Sequence, residues 1–433
     1  MKVGFVSLGC SKNLVVTEEM IGLFKKHGYD IVSDPEDAQI ILINTCGFIE
    51  SAKQEGIETI LDMADYKEDN CQYLIVTGCL VERYEEELRK EMPEVDLFIS
   101  IKDYNQFWEK IDELITNGKQ QDQMSYKHRI LTTGQTMAYL KIAEGCSNYC
   151  TYCAIPYIQG KYISRPYEEI IEEAKMLAQK GITELVVIAQ DTTKYGLDLY
   201  NQARLPELLE DLCKINGIEW IRFLYSYPES ITDELIDVVK RNDKICKYFD
   251  LPIQHISDNI LKLMNRKTTG QSIRDLIVKL RKEIPEVILR TTLILGFPSE
   301  TEENFEELYE FVKEAKFDRL GAFPYSAEDG TPAALFKNQI EQEIKEERHA
   351  KIMELQQEIS TENLQSKIGN VYRCMIEQVT EDGEFLIGRT YMDVPFEDGV
   401  IYIPNDGTAI INEFTNVRII DSYEYDLIGE LVH

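Results

Sequence analysis

The first quarter of the chain alternates short apolar runs with stretches in which apolar residues recur every three or four positions. The apolar runs are KVGFVS, AQIILIN and QYLIVT, and the stretches include NLVVTEEMIGLFKKHG and VERYEEELRKEM. Runs of β-branched residues predict buried strands, and the 3.6-residue period predicts amphipathic helices. Because strand and helix alternate, the pattern indicates an open parallel α/β sheet with helices on both faces over residues 1–116.

A polar segment without periodicity, residues 116–134, is interpreted as a linker. The alternation then resumes in a domain that we place at residues 132–365. Its strand candidates are AYLKIAE, ELVVIA, WIRFLY, YFDLPI, EVILRTTLIL and RLGAFPY, and each precedes or follows a helical pattern. Six such units are too few for a closed eight-fold barrel. The pattern therefore predicts a partial (β/α)6 barrel, with its chemistry at the C-terminal ends of the strands.

The pattern changes again near the C-terminus. Apolar residues at helical spacing between positions 339 and 365 predict one long helix, and they are Ile340, Ile344, Ile352, Leu355 and Ile359. Beyond it lie the short β runs VYRCMIEQV, EFLIGRTY, GVIYIP and TNVRIIDSY, separated by turns. These predict a small antiparallel β-barrel over residues 366–433.

The charge balance bears on possible partners. The 433 residues hold 46 Lys and Arg against 77 Asp and Glu, a net charge of −31, which excludes a basic nucleic-acid-binding surface over the whole molecule. Residues 366–433 hold 13 acidic and 4 basic side chains, a net of −9. Such a barrel would repel an RNA backbone and attract a basic protein, although ordinary solubility explains the acidity equally well.

The location and the broad class of the protein can also be predicted. The apolar runs are too short to cross a membrane, and the N-terminus runs directly into a strand pattern without the regions of a signal peptide. We therefore expect a cytoplasmic protein with no membrane partner. The sequence has no H-E-x-x-H zinc motif, phosphate-binding loop or G-x-S-x-G elbow, so nothing in it supports a hydrolase.

Three of the ten cysteines are tightly spaced, Cys146, Cys150 and Cys153, in a C-x3-C-x2-C run directly after the strand candidate AYLKIAE. Thiolates at this spacing can bind three irons of one 4Fe-4S cluster and leave the fourth iron open. A zinc site is the first alternative, but zinc takes four ligands and no fourth Cys or His lies nearby. Inert packing thiols are the second alternative.

Three further cysteines, Cys10, Cys46 and Cys79, stand where the apolar strands of the first domain end, in VSLGC, LINTCG and VTGC. Parallel strands bring their C-terminal ends to one edge of a sheet, so these residues can converge. This placement predicts a second cluster, and the alternative is three buried structural cysteines. The remaining cysteines lack such placement and are predicted to be packing residues, namely Cys71, Cys213, Cys246 and Cys374.

The C-x3-C-x-aromatic-C pattern, with Tyr152 at the aromatic position, resembles the radical S-adenosylmethionine enzymes. The resemblance implies a catalytic cluster on Cys146, Cys150 and Cys153 whose open iron chelates the amino and carboxylate groups of S-adenosylmethionine. Reductive cleavage would yield methionine and a 5′-deoxyadenosyl radical, which abstracts hydrogen from an unactivated carbon. Tyr152 would lie beside the adenine.

The same resemblance implies further S-adenosylmethionine contacts at the ends of barrel strands. Ala189, Gln190 and Asp191 would meet the methionyl amino group, Gln254 the ribose hydroxyls and Arg290 the methionyl carboxylate. Ile294 and Gly296 would pass close to the adenine, with glycine allowing the backbone to approach. For each, the alternative is a barrel-rim residue with a structural role.

Three other polar residues stand out in the sequence. His255 is predicted to be a structural barrel histidine rather than a ligand. Asp393 and Asp398, in DVPFED, would either contact a basic partner or be solvated turn residues.

Two three-cysteine sets followed by a small barrel resemble the methylthiotransferases over essentially the whole chain. The resemblance implies an auxiliary 4Fe-4S cluster in the first domain and a TRAM domain at the end. Several stretches are similar to the branch that modifies an aspartate of small-subunit ribosomal protein twelve, namely SLGCSKNL, INTCGFIESAKQE, AQDTTKYGLD, FPYSAEDGTPAA and DSYEYDLIGE. Ser11 departs from that branch, in which proline is common at this position.

The implied reaction is methylthiolation of the aspartate β-carbon, with two S-adenosylmethionine molecules consumed per product. The implied partners are ribosomal protein twelve, a reductant such as flavodoxin or ferredoxin, and a sulfur donor, without direct RNA binding. One alternative is a methylthiotransferase that modifies transfer RNA adenosines. The other is an iron-sulfur binding or sensing protein.

Overall fold

The N-terminal domain of the computed structural model, which describes residues 1–432, is a parallel five-stranded sheet in the order β2-β1-β3-β4-β5. Its strands are β1 (Lys2–Ser7), β2 (Asp30–Val32), β3 (Ile40–Thr45), β4 (Tyr73–Gly78) and β5 (Leu97–Ile99). Its helices are α1 (Ser11–Lys26), α2 (Glu50–Asp65), α3 (Cys79–Glu91) and α4 (Phe107–Thr116). The three predicted strands are confirmed as β1, β3 and β4, whereas β2 and β5, with three residues each, are too short to show a period.

The central domain is an open barrel of six parallel strands. Two three-stranded sheets, β6-β9-β10 and β11-β12-β13, are joined by a parallel bridge between Ile221 and Ile245. The six strands are β6 (Met137–Lys141), β9 (Glu184–Ile188), β10 (Trp220–Phe223), β11 (Tyr248–Asp250), β12 (Ile288–Leu295) and β13 (Arg319–Pro324). All six strand predictions are confirmed. A short antiparallel pair, β7 (Ala143–Glu144) and β8 (Ile163–Ser164), follows the first barrel strand.

The helices of this domain cover the outside of the barrel and bury Leu140, Leu185 and Leu289 of its strands. They are α5 (Ile155–Ile158), α6 (Tyr167–Gln179), α7 (Leu197–Tyr200), α8 (Leu205–Cys213), α9 (Asp233–Arg241), α10 (Asp258–Leu263), α11 (Gly270–Glu283), α12 (Glu302–Ala315) and the predicted long helix α13 (Gln342–Gln365). In the described part of the chain, no helix is long and apolar enough to cross a membrane.

A closed five-stranded barrel forms the C-terminal domain, in the order β14-β15-β16-β18-β17. Its strands are β14 (Val371–Val379), β15 (Phe385–Arg389), β16 (Ile401–Pro404), β17 (Phe414–Ser422) and β18 (Leu427–Leu431). The small barrel is confirmed, but β16 and β18 pair in parallel, so the barrel is not wholly antiparallel. Its core is continuous with Tyr139, Val186 and Tyr248 of the central barrel, so the two barrels share one apolar interface.

Buried ion pairs fix the three domains to one another. Glu184 of β9 lies between Arg222 of β10, at 3.1 Å, and Arg389 of β15, at 2.5 Å. In the segment interpreted as a linker, Arg129 is fully buried between Glu18 of α1, at 2.6 Å, and Glu173 of α6, at 2.8 Å. The segment is irregular as predicted, but it is tightly held at this residue.

The acidic pair Asp393 and Asp398 corrects a prediction. Both side chains are almost fully buried and face Arg319 of β13, and Tyr248 donates a hydrogen bond to Asp398 Oδ2 at 2.7 Å. They are neither solvated turn residues nor available to a partner protein, because they anchor the C-terminal barrel to the central one.

Candidate active site

The C-x3-C-x2-C loop follows β6 and β7 and is shaped by its own backbone contacts. The amide of Cys146 donates to the carbonyl of Gly160 at 3.1 Å, and the amide of Cys153 donates to that of Cys150 at 3.0 Å. Tyr149 adopts a left-handed conformation with φ of 52°, which turns the chain back between the first two cysteines. Cys146 and Cys150 are buried, and Cys153 is partly exposed.

The three thiols lie close enough to affect one another electrostatically. Burial raises the pKa of Cys146, and a neighbouring Cys150 thiolate raises it further. Burial, Cys150 and Cys146 together raise the pKa of Cys153. Three thiolates in this loop therefore need a compensating cation, which is the electrostatic requirement of a metal site.

The second cysteine set lies at one edge of the first sheet. Burial raises the pKa of Cys79 to about 12, with Cys10 and Cys46 as the next causes. Burial also raises the pKa of Cys46, and Cys10 raises it further. All three side chains are thus mutual neighbours, although Cys10 is the exposed member.

Asn13 of α1 holds the strand ends that carry this set. Its Nδ2 donates to the carbonyl of Leu8 at 3.1 Å and to that of Thr45 at 2.9 Å, so it joins the ends of β1 and β3. Gly9, with φ of 84°, approaches so closely that a Cβ there would lie 2.6 Å from Cys46 Cβ. The spacing between the first two thiols therefore depends on a glycine and on an asparagine that our sequence analysis did not select.

The two cysteine sets meet at the interface between the domains. Gln159, just past α5, donates a hydrogen bond from Nε2 to Cys79 Sγ at 3.3 Å. Ala154 and Ile158 pack against the same thiol. The loop that carries the central set thus forms a wall of the N-terminal set.

The donor chemistry fits iron-sulfur clusters. In residues 1–432 as they stand, no three Cys, His, Asp or Glu side chains are placed to hold a metal ion, so the fit rests on the kind of donor. Each set offers three neighbouring thiols, which is the ligand type of 4Fe-4S clusters. Cys71, Cys213, Cys246 and Cys374 lie outside both sets.

Two residues near Cys150, Tyr227 and Arg266, were not predicted. Tyr227, beyond the end of β10, places its hydroxyl oxygen 3.8 Å from Cys150 Sγ, and the guanidinium of Arg266 lies 4.2 Å from the centre of the Tyr227 ring. Burial, followed by Cys150, raises the pKa of Tyr152 well above its ordinary value. The location of Tyr227 after a barrel strand was the available signal, whereas nothing local marks Arg266.

The segment after β9 lies beside the cysteine loop. Asn148, between the first two cysteines, donates to Asp191 Oδ2 at 2.9 Å, and Tyr162 donates to the carbonyl oxygen of Asp191 at 2.9 Å. Ala189 is fully buried and Gln190 is partly exposed. The carboxylate of Asp191 therefore positions the cysteine loop.

The residues expected near adenine and ribose are partly brought together. Tyr152 and Ile294 pack against the same apolar cluster, which includes Met264 and Phe297. Gln254 has φ of 69° and exchanges backbone hydrogen bonds with Thr292 and Ile294, so it lies beside the same strand. His255 is fully buried, accepts a hydrogen bond from the Ser257 amide and fits the predicted structural role.

Gly296 and Arg290 have other neighbours. Gly296 has φ of 67°, and a Cβ there would lie 2.3 Å from Cγ of Lys345. The close approach of α13 is therefore sufficient reason for a glycine at this position. Arg290 lies near the start of β12, where it pairs with Glu397 of the C-terminal barrel and lies 4.0 Å from Asp250. Arg290 is thus already paired with carboxylates of this chain.

Three family models match the chain. The uncharacterized protein family UPF0004 matches residues 2–100, the radical SAM superfamily matches residues 140–312 and the TRAM domain matches residues 368–432. The fold is similar to that of the radical S-adenosylmethionine methyltransferase TsrM from Kitasatospora setae, with a TM-score of 0.58, 12% identity and coverage of 77% of each chain.

Curated relatives are similar over the full length. A protein of Alkaliphilus oremlandii named ribosomal protein uS12 methylthiotransferase RimO is 64% identical over 100% of this chain and 99% of its own. Proteins of the same name from Clostridioides difficile and Acetivibrio thermocellus are 51% and 50% identical, over 100% of this chain and 99% and 98% of theirs. With this identity and all three domain matches, the chain belongs to the RimO family of radical SAM methylthiotransferases.

Proposed function

We propose that this enzyme attaches a methylthio group to the β-carbon of an aspartate of ribosomal protein uS12. The observation that carries the proposal is the meeting of the two cysteine sets at Gln159 and Cys79, in a chain 64% identical to a protein named for this reaction. The proposed domains are the N-terminal methylthiotransferase domain with the auxiliary cluster, residues 1–116, the radical SAM core with its long C-terminal helix, residues 132–365, and the TRAM domain, residues 366–433.

In this proposal, Cys146, Cys150 and Cys153 hold one 4Fe-4S cluster, and Cys10, Cys46 and Cys79 hold another. When bound, the first cluster would supply the electron for reductive cleavage of S-adenosylmethionine, and the second would hold the methylthio group. Because S-adenosylmethionine provides both the radical and the methyl group, each product consumes two molecules. Tyr152 and Ile294 bind the adenine through the apolar cluster that they share.

The remaining residues orient the site and exclude water. Asp191 holds the cysteine loop through Asn148, and Ala189 and Gln190 line the adjoining strand end. The proposed roles of Gln254 at the ribose and Gly296 at the adenine rest on their location beside β12. Arg290 is proposed to meet the methionyl carboxylate, and its guanidinium also pairs with Glu397.

The acidic surface of the C-terminal barrel supports a basic partner such as uS12. Glu381, Asp382, Glu384 and Asp421 are exposed, whereas Arg389 is buried. Such a surface raises the encounter rate with a basic protein. A cytoplasmic reductant of the flavodoxin or ferredoxin type and a sulfur donor complete the proposed partners.

The deciding experiment is mass spectrometry of uS12 from cells with and without the gene. We expect one methylthio substitution on an aspartate that disappears with the gene. An unchanged uS12 would refute the substrate, and the loss of a methylthio adenosine from transfer RNA instead would identify the alternative activity.

The two clusters are tested by substitution. Cys146→Ala should abolish formation of 5′-deoxyadenosine, whereas the triple variant Cys10→Ala, Cys46→Ala, Cys79→Ala should keep it and lose methylthiolated uS12. Cys213→Ala, on α8 and outside both sets, is the matched control. Normal product from the triple variant would refute the auxiliary role.

A further inference from the structure

Lys12 is a cation beside the N-terminal cysteine set, and it forms no ion pair with any of residues 1–432. It lies in the first turn of α1, two residues after Cys10, and is largely shielded from solvent. Its ammonium lies 3.4 Å from the centre of the Tyr225 ring. Within residues 1–432, no carboxylate oxygen lies within 4.0 Å of Lys12 Nζ. Shielded ammonium groups are normally paired, so this site can accept an anion.

The aromatic ring under Lys12 is held by the barrel. Tyr225 follows β10 with φ of 61°, a conformation that bulky residues rarely adopt. Its amide donates to Asp250 Oδ2 at 2.8 Å, and its carbonyl accepts from the amide of Thr192 at 3.2 Å. Strain that the surroundings maintain in this way is typical of ligand sites. The contact between Lys12 and Tyr225 therefore joins α1 of the first domain to the strand ends of the second.

Two carboxylates in this region, Glu397 and Asp250, are committed to other groups. Glu397, a charged neighbour of Lys12, forms its ion pair with Arg290. Asp250 accepts from the Tyr225 amide and lies 4.0 Å from Arg290. Next to Lys12 along the chain, the Ser11 hydroxyl is buried without a hydrogen-bond partner among the described residues. Two donors thus follow Cys10 directly, and within residues 1–432 neither is paired with a carboxylate.

We propose that Lys12 is a specificity-determining residue that pairs with the side-chain carboxylate of the substrate aspartate. The inference rests on the proposed function and deepens it. The β-carbon is directly bonded to that carboxylate, so an ion pair with Lys12 would fix the reacting carbon beside Cys10 and its cluster. An adenosine substrate offers no carboxylate for this contact.

The test compares Lys12→Met and Lys12→Arg in the holoenzyme, with Lys25→Met as the matched control in the exposed last turn of the same helix. A charge-assisted contact is worth roughly 1.5–3 kcal/mol, so we expect the KM for uS12 to rise about tenfold to a hundredfold in Lys12→Met. Lys12→Arg, which keeps the positive charge, should show a smaller rise in the KM for uS12 than Lys12→Met. Equilibrium binding of uS12, measured without reductant, should weaken by the same factor.

A second readout uses uS12 with asparagine in place of the modified aspartate. Wild-type enzyme should bind this uS12 more weakly than the natural one, and Lys12→Met should lose the difference. A rise in the KM for S-adenosylmethionine in place of that for uS12 would overturn the proposal, because Lys12 would then pair with the methionyl carboxylate. Unchanged uS12 binding would also overturn it. If wild-type enzyme leaves uS12 unmodified, the proposed function fails first and this inference with it.

Discussion

Gln159 Nε2 donates a hydrogen bond to Cys79 Sγ across 3.3 Å, so the loop carrying one cysteine set directly contacts a thiol of the other. Ala154, the residue after Cys153, packs against the same thiol. The two sets are therefore parts of one interface between the N-terminal and central domains. A change at this contact should impair the reaction that needs both sets more than the reaction that needs only one.

Gln159→Glu tests that contact. The carboxylate has nearly the shape of the amide but donates no hydrogen bond and repels a thiolate, so we expect about a tenfold loss of methylthiolated uS12 with less loss of 5′-deoxyadenosine. Both products can be quantified in one reaction by mass spectrometry, with Gln179→Glu on the exposed end of α6 as the control. An equal loss of both products would show that Gln159 supports only the central set.

Gly9 should be required by the N-terminal set. In Gly9→Ala, the new Cβ would lie 2.6 Å from Cys46 Cβ and 2.9 Å from its Sγ, so the thiols must move apart. We expect the purified variant to lose the iron of one cluster and keep that of the other, measured by iron analysis and absorption spectroscopy. Gly28→Ala is the control, because Gly28 has nearly the same φ, 82° against 84°, but open space around it. Equal iron in the two variants would contradict this account.

The sequence predicted the features that depend on local pattern. The barrel strands were found, and the six candidate cysteines were selected, because periodicity and the placement of residues at strand ends are readable along the chain. The residues that were missed act through partners distant in sequence. Arg129 pairs with Glu18 across 111 positions, and the ring beneath Lys12 belongs to another domain. Asp393 and Asp398 were misread for the same reason, since their partner Arg319 lies on a barrel strand.

Arg129 should contribute strongly to stability although it lies in an irregular segment. Arg129→Met leaves the carboxylates of Glu18 and Glu173 buried without their cation, and breaking such a network costs about 3–5 kcal/mol. We expect a clearly lower urea midpoint and faster proteolysis between residues 116 and 134. Lys127→Met, which removes an exposed cation from the same segment, should change either quantity little. An unchanged urea midpoint in Arg129→Met would show that the segment connects the two domains without stabilising them.

Glu184 should make the attachment of the C-terminal barrel sensitive to acid. Burial alone would raise the pKa of Glu184, but Arg389 and Arg222 outweigh it and lower the pKa below the ordinary value of 4.5. A carboxyl with a lowered folded pKa stabilises the fold above its unfolded pKa and loses that effect as the pH falls through the folded value.

The measurement is the thermal midpoint of wild type and Glu184→Gln between pH 7 and pH 3. The variant leaves the buried Arg222 without its carboxylate and Arg389 with Glu377 alone, so its midpoint should be well below that of wild type at pH 7. The difference in thermal midpoint between the two proteins should shrink only below about pH 4.5, because Glu184 of the wild type then also becomes protonated and loses its charge. Glu219→Gln, which removes a half-exposed pair with Arg373 at the same domain interface, should show a small gap at every pH. A Glu184→Gln gap that stays constant down to pH 3 would mean that Arg389 and Arg222 do not hold this carboxylate in its charged form.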